Sequence, residues 1–567
     1  MSRAVLVLAL LAGCTETVQL GSGRLSGLVG ITLTAADTTL TVTDLTGPPP
    51  ELGLVAIGTF IDGTTRDITS LVAWSVDDLA PGSFAAPGRY VASQAAGGHV
   101  VASARAETLE VSVPLHVRIE LALSDAVFPP PVGADALFAP GMPVEVGGSL
   151  APGILYPPRG ALVPQDLARI LFQLAPRAGT DAYRWRLDSD LLRVTVVSGS
   201  DRWQPDGALW ALLAATHPGA TVELVAEAAS TASPGTIHAS APSPLTFSQR
   251  AIGGVLYHWS AATTAVMRGT LASETVGRLY PAAGDATCVG CHTVSRDGRA
   301  MALAYGDDLR TIELEDATPL LTTPLRPMGW ATFSPTAELL VVADRGVLTL
   351  RDAVTGEPLG PNGGRVPLPR KASHPDWSPD GKHLVVTLTN DVTNLDVGSG
   401  SIARIAFVAG AWGATEVLVA GSPTSNNYFP RYSPDGRYIA YVNAAGPSRG
   451  APTAELRLIR DDGGVHIPLA IASHRVGTTD DVPHLATTMP TWAPIEGDLA
   501  WLAFASARPY GAILPTSGLA QIWIAGLDLT RAAAGLDPSF AALWLPSQDV
   551  RVLNNNPIWA PHVQTPN

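Results

Sequence analysis

The clearest chemistry in this chain is carried by Cys288-Val289-Gly290-Cys291-His292. Two thiols separated by two residues reach the two vinyl-derived positions of one porphyrin, and the adjoining imidazole turns to its iron. The pattern reads as covalent attachment of haem c, with Cys288, Cys291 and His292 as cofactor-binding residues and His292 as the proximal iron ligand. The same thiols have two other uses in an oxidising compartment, a short-loop structural disulfide or a redox-active pair. The helical domain that normally accompanies such a motif is missing from its flanks. The next residues, "TVSRDGRAMALAY", read instead as a turn between two strands.

The chain has three cysteines. The third, Cys14, closes Leu11-Ala12-Gly13-Cys14 after one cation, Arg3, and an apolar run from Ala4 to Leu11. That run is too short to span a bilayer and fits the core of a signal peptide over 1–13. Its ending resembles a bacterial lipobox, which implies lipidation at Cys14 and an envelope location. Thr15, where an inner-membrane lipoprotein often carries Asp, points to the outer membrane. The thiol pair is then the only other cysteine chemistry in an exported chain.

Other sites are poorly supported. No Gly-x-Ser-x-Gly element is present, no catalytic residues are assigned, and the chain reads as a non-enzyme. The Asp-Gly pairs at 297, 380 and 435 are turn chemistry, and the Asn/Asp-rich loop 389–400 does not meet the ligand pattern of a calcium loop. A net charge of −14 argues against nucleic acid as a partner.

The elements that position the thiols are strands. Short Val/Leu/Ala/Thr runs are broken everywhere by turn residues, with 55 Gly and 48 Pro in 567 residues, which predicts an all-β, multidomain protein. From 253 to 567 the chain repeats a unit built on "aromatic-Ser-Pro-Asp-Gly", with its Ser or Ala at 295, 334, 378, 433, 493 and 560. The spacings of 39 to 67 residues are blade-sized. These units resemble the WD40-like repeats of TolB-like propellers. "IWAP" at 558–561 leaves no room for the rest of a blade, so 253–271 is expected to supply the missing strands and close a six-bladed ring.

Registering the repeats backwards from Ser or Ala places Cys291, Trp330, His374, Phe429, Met489 and Asn556 four positions ahead, at one mouth of the channel. Three positions ahead stand His292, Ala331, Pro375, Pro430, Pro490 and Pro557. His374 or Met489 is the candidate distal ligand of a haem at that mouth, with Met301 and Met328 as further candidates.

Upstream, a tether (14–29) leads to "LVAIGTFIDGTTRDITSLVAWSVDD" and its alternating continuation. This region, 30–118, resembles bacterial immunoglobulin-like domains of group 2, which implies a sandwich acting as a spacer. A Pro/Gly-rich linker (119–149) precedes a second β-rich, sandwich-like domain (150–250). There Trp185, Trp203 and Trp210 either line a groove or, more simply, pack a core. The expected function is an envelope lipoprotein whose propeller carries haem c for electron transfer or redox sensing. Its partners are the membrane, through the lipid, and a redox partner. The alternative is a non-enzymatic scaffold that binds an envelope protein or glycan on the propeller face, with Cys288–Cys291 as a structural disulfide.

Overall fold

The computed structural model describes residues 23–281, 287–321, 325, 329–392, 396–473, 486–494, 497–514 and 518–561. Cys14 and Met328 lie outside them. The chain forms two compact units, one running to Ala122 and including Ser189–Val194, the other holding the remainder. Among the described residues no helix is long and apolar enough to cross a membrane.

The first unit is built from β1 (Leu28–Ala35), β2 (Thr39–Val42), β3 (Glu51–Phe60), β4 (Thr65–Asp67), β5 (Ala73–Val76), β6 (Gly82–Ala86), β7 (Arg89–Ala92), β8 (Gly98–Ala106) and β9 (Leu109–Ser124). One sheet runs β1-β3-β7-β6, with β4 on β3; the other runs β2-β9-β8-β5. Every second residue of β3 and β8 is buried, as a two-sheet sandwich requires. Ala56, Phe60 and Ile68 meet Ala104 and Ala106 in the core between the sheets. The Asp62-Gly63 turn closes by Thr64 N–H donating to Asp62 Oδ1 at 2.9 Å. The indole of Trp74 donates to the Thr69 carbonyl at 2.9 Å.

The second unit opens with a β-rich region in which Thr221–Ala229 pairs with Ala182–Asp188, Ile237–Ala239 and Ser243–Phe247. The segment expected to be a linker is structured. β9 runs on to Ser124, alternating in burial as far as Leu121, and a turn of helix at Ala134–Leu137 packs Ala134, Leu137 and Phe138 on Ala182, Ala229 and Ile237. The helix Gly207–Thr216 is capped by Asp206, whose carboxylate accepts from Leu209 N at 2.8 Å. Trp185, Trp203 and Trp210 are buried around Phe172. They form core, not a groove.

The rest of this unit is a succession of small antiparallel sheets, six of three or four strands among the described residues, with one two-stranded ribbon of Asp391–Val392 and Val397–Gly398. The inner strands of the six are Val289–Val294, Ala331–Phe333, Ala372–Trp377, Asn426–Tyr432, Thr488–Trp492 and Asn554–Ala560. Each packs on the next, and the last packs on the first, so the strands form a closed cycle around a channel. That is a β-propeller. The closing sheet takes its inner strand from 554–560 and its other three from 255–260, 265–269 and 277–280; the first two lie within the expected 253–271 and the third beyond it.

The repeat unit has a local physical cause. In the copies at 295, 378 and 433 the Ser hydroxyl donates to the Asp two residues on at 2.6–2.7 Å. It also accepts the N–H five residues on at 2.9–3.0 Å. The copy at 334, which lacks Asp-Gly, keeps the turn because Ala337 takes the left-handed conformation (φ 61°) and donates to the Ser334 carbonyl at 2.9 Å. A side chain there costs about 1–2 kcal/mol.

Candidate functional site: the two mouths of the propeller channel

Five of the six inner strands carry a bulge at the same place. Cys291-His292, His374-Pro375, Phe429-Pro430, Met489-Pro490 and Asn556-Pro557 each set two residues opposite one on the neighbouring strand. The first of each pair has positive φ, from 26° at Cys291 to 53° at Met489. A bulge leaves one residue outside the ladder, and Pro, which has no N–H to pair, suits its second position. His292 therefore stands where four other strands carry Pro. The residues two places before the Ser or Ala line one cavity, and Cys291, Trp330, Met489 and Asn556, four places before, line another.

At the first mouth a cavity of about 230 Å³ is walled by Cys288, Cys291, Trp330, Arg449, Met489 and Asn556. Cys288 and Cys291 are free thiols, so the disulfide of the alternative reading is not what the structure contains. Burial pushes the Cys291 thiol up to about 12, against the pull of Arg449. His292 is buried and does not wall this cavity. The amide of Asn556 donates to His292 Nδ1 at 3.2 Å and to its carbonyl at 3.0 Å, and the Tyr257 backbone also lies against the ring. Burial, and then neighbouring His258, hold the His292 imidazole down at about 3.

The candidate distal ligands separate. Met489 faces the thiols across the cavity, whereas His374 does not reach it. The His374 ring stacks on Phe429 (centroids 3.8 Å apart) and meets Trp330 edge-on at 5.1 Å. Its Nδ1 lies 3.3 Å from Thr387 Oγ1, and burial lowers its pKa well below the usual histidine value. Met301 is wholly buried between strands and holds no ligand position.

A c-type haem needs both thiols and the imidazole on one space. Here the thiols and Met489 share a cavity and His292 is fixed outside it. The volume also falls below the roughly 300–1,000 Å³ that encloses a drug-sized ligand, and haem is larger. The residues as arranged do not fit the group.

The second mouth went unread in the sequence. A cavity of about 320 Å³ is bounded by the residues two places before each Ser or Ala: Thr293, Thr332, Asp376, Arg431, Thr491 and Ile558. Arg296 joins them from the turn. Asp376 receives Arg431 Nη1 at 3.2 Å, has Arg296 Nη2 at 3.6 Å, and accepts the Tyr432 N–H at 2.8 Å. Two guanidinium groups thus share one carboxylate. Burial lowers the Arg296 pKa and Asp376 opposes that shift. A signal was available, since Arg296 occupies the place held by Pro335, Pro379, Pro434, Pro494 and Pro561 in the other repeats.

No family model matches the chain, and no curated protein does. Among solved structures it is similar to TolB from Acinetobacter baumannii (14% identity, TM-score 0.38, 60% of this chain and 80% of that one). A TolB assignment from Agrobacterium tumefaciens is also similar (17%, 0.32, 54% and 98%). So is an oligogalacturonate lyase in complex with manganese (16%, 0.30, 51% and 72%). The likeness is one of fold alone, and the propeller assignment stands on the closed cycle of sheets.

Proposed function

We propose that the protein is a non-enzymatic binding scaffold of the cell envelope, anchored through lipid at Cys14 on the outer membrane. The sandwich, read as immunoglobulin-like, spaces the propeller from its anchor. The ligand enters the channel at the second mouth and presents a carboxylate. The observation that carries this reading is the excess cation there, Arg296 and Arg431 against Asp376 alone. A forked guanidinium in a partly dry recess favours a planar anion over a neutral group. An acidic envelope glycan or an acidic protein segment has that chemistry. N-acetylmuramic acid and N-acetylglucosamine, which differ by one carboxylate-bearing arm, make the test by calorimetric titration. Tighter binding of the acid, lost in Arg296→Gln, supports the reading. Equal or absent binding of both sugars overturns the glycan form, and the same comparison with an acidic and a neutralised peptide then decides the protein form.

A second reading is favoured by one observation: both thiols and Met489 line one cavity. It is haem c attachment for electron transfer or redox sensing. Protein exported from a host with cytochrome c maturation, compared with the Cys288→Ala/Cys291→Ala variant, tests it. A pyridine haemochrome that survives denaturation and vanishes in the variant establishes haem. It would also require the strand around His292 to be rebuilt, with the imidazole released from Asn556 and turned into the cavity.

A further inference from the structure

Away from the channel, the sandwich brings together three groups that neither reading uses. β8 and β9 pair so that His99 lies directly opposite His116, and their rings stack with centroids 4.6 Å apart at 21°. Asp190 comes from the 189–191 turn of the same unit. That turn is shaped by Leu191 and Leu192 N–H donating to Ser189 Oγ at 3.2 and 3.1 Å, and is tied to β9 by Ile119 N–H donating to the Leu191 carbonyl at 3.0 Å. His99 Nε2 lies 2.9 Å from Asp190 Oδ2. One ligand atom from each of the three residues lies within 4.8 Å of the others.

We propose that His99, His116 and Asp190 bind one divalent transition-metal ion, zinc before others. Two imidazoles and a carboxylate are a borderline-soft donor set suited to such an ion and poorly suited to calcium or magnesium. Bonds of about 2.0–2.1 Å place neighbouring ligand atoms about 3.3 Å apart, so side-chain adjustments of tenths of an ångström to about 1.5 Å convert the existing cluster into a coordination shell. The orphaned atom agrees: His116 Nε2 is screened from solvent and has no hydrogen-bond partner. A metal would supply one. The side chains of His99 and Asp190 are 65% and 71% exposed, which leaves the fourth position open to water or to a ligand from outside. Binding replaces the hydrogen between His99 Nε2 and Asp190: the neutral imidazole binds as its Nδ1–H tautomer, the hydrogen on Nε2 exchanging through solvent for one on Nδ1 with no net proton released. The ion would pin the 189–191 turn to the β8–β9 face.

The test uses the full chain carrying a purification tag without histidine. Cobalt(II) is titrated first, and zinc then displaces it. The expected result is one ion per chain, visible d–d absorption without thiolate-to-cobalt charge transfer, and a rise in melting temperature with zinc. His99→Gln, His116→Gln and Asp190→Asn each weaken binding at least tenfold while leaving the metal-free melting temperature unchanged. Cys288→Ser/Cys291→Ser leaves binding unaltered. Binding that survives all three ligand substitutions, binding lost only with the cysteines, or no binding at micromolar metal overturns the proposal.

Discussion

Closure of the ring by strand 554–560 makes a local prediction at Gly254. This residue has φ 79°, and a Cβ there would stand 2.5 Å from the Ala560 carbonyl oxygen and 3.0 Å from the Trp559 indole nitrogen. Gly254→Ala therefore imposes two penalties. A side chain in the left-handed region costs about 1–2 kcal/mol. The clash with a strand that is hydrogen-bonded to its neighbour adds about 1–3 kcal/mol, as overpacking does. The sum, about 3 kcal/mol, falls on the pairing of 554–560 with 255–260 and not on the other sheets. At about 1.4 kcal/mol per tenfold, the opened state of the last strand becomes roughly a hundred times more populated. Hydrogen exchange followed by mass spectrometry reads this directly. Amides of 554–560 should exchange about a hundredfold faster, whereas those of 372–377, elsewhere in the ring, should not change. A uniform acceleration across the propeller, or none at all, would refute closure as a separable event.

Three further outcomes are expected. His258, His292 and His374 are held neutral by burial, at about 4, about 3 and well below the usual value. The unfolded chain takes up their protons below about pH 6.5 and the folded chain does not, so stability should be flat above that pH and fall between about 6.5 and 4. Each histidine contributes a slope of up to about 1.4 kcal/mol per pH unit, and denaturant midpoints across this range check it. In alkylation at pH 8, exposed Cys288 should react well before Cys291, whose thiol is raised to about 12, with mass spectrometry giving the order. Tyr156→Phe should destabilise the second unit by about 1–3 kcal/mol, seen by thermal unfolding, because the Tyr156 hydroxyl accepts the buried Trp544 N–H at 3.0 Å.

What the sequence made legible was what repeats. The Ser-Pro-Asp-Gly unit is a self-contained hydrogen-bonded turn, so its spacing carried the sheets, their order and the split closure. The bulge was half legible: Pro at 375, 430, 490 and 557 marks it, but the positive φ one residue earlier leaves no trace in residue type. For that reason the direction of His292 was not foreseen. Four of its five neighbours in register are prolines, whose rings carry no polar group to aim, and its partner Asn556 comes from far along the chain. Arg296 was visible as the one departure from Pro, yet its role depends on Asp376 and Arg431 across the ring. The helix at 134–137 is too short for any periodicity and is held only by the core it fills.

The split closing sheet also sets an order of events. Asn556 lies 264 residues after His292. Until strand 554–560 docks, the imidazole has no amide to hold it, and the wall that Asn556 gives to the thiol cavity is missing. Chemistry that needs Cys288, Cys291 and His292 together has its opportunity then, before the final strand arrives. The last strand to dock is thus the one that closes the site.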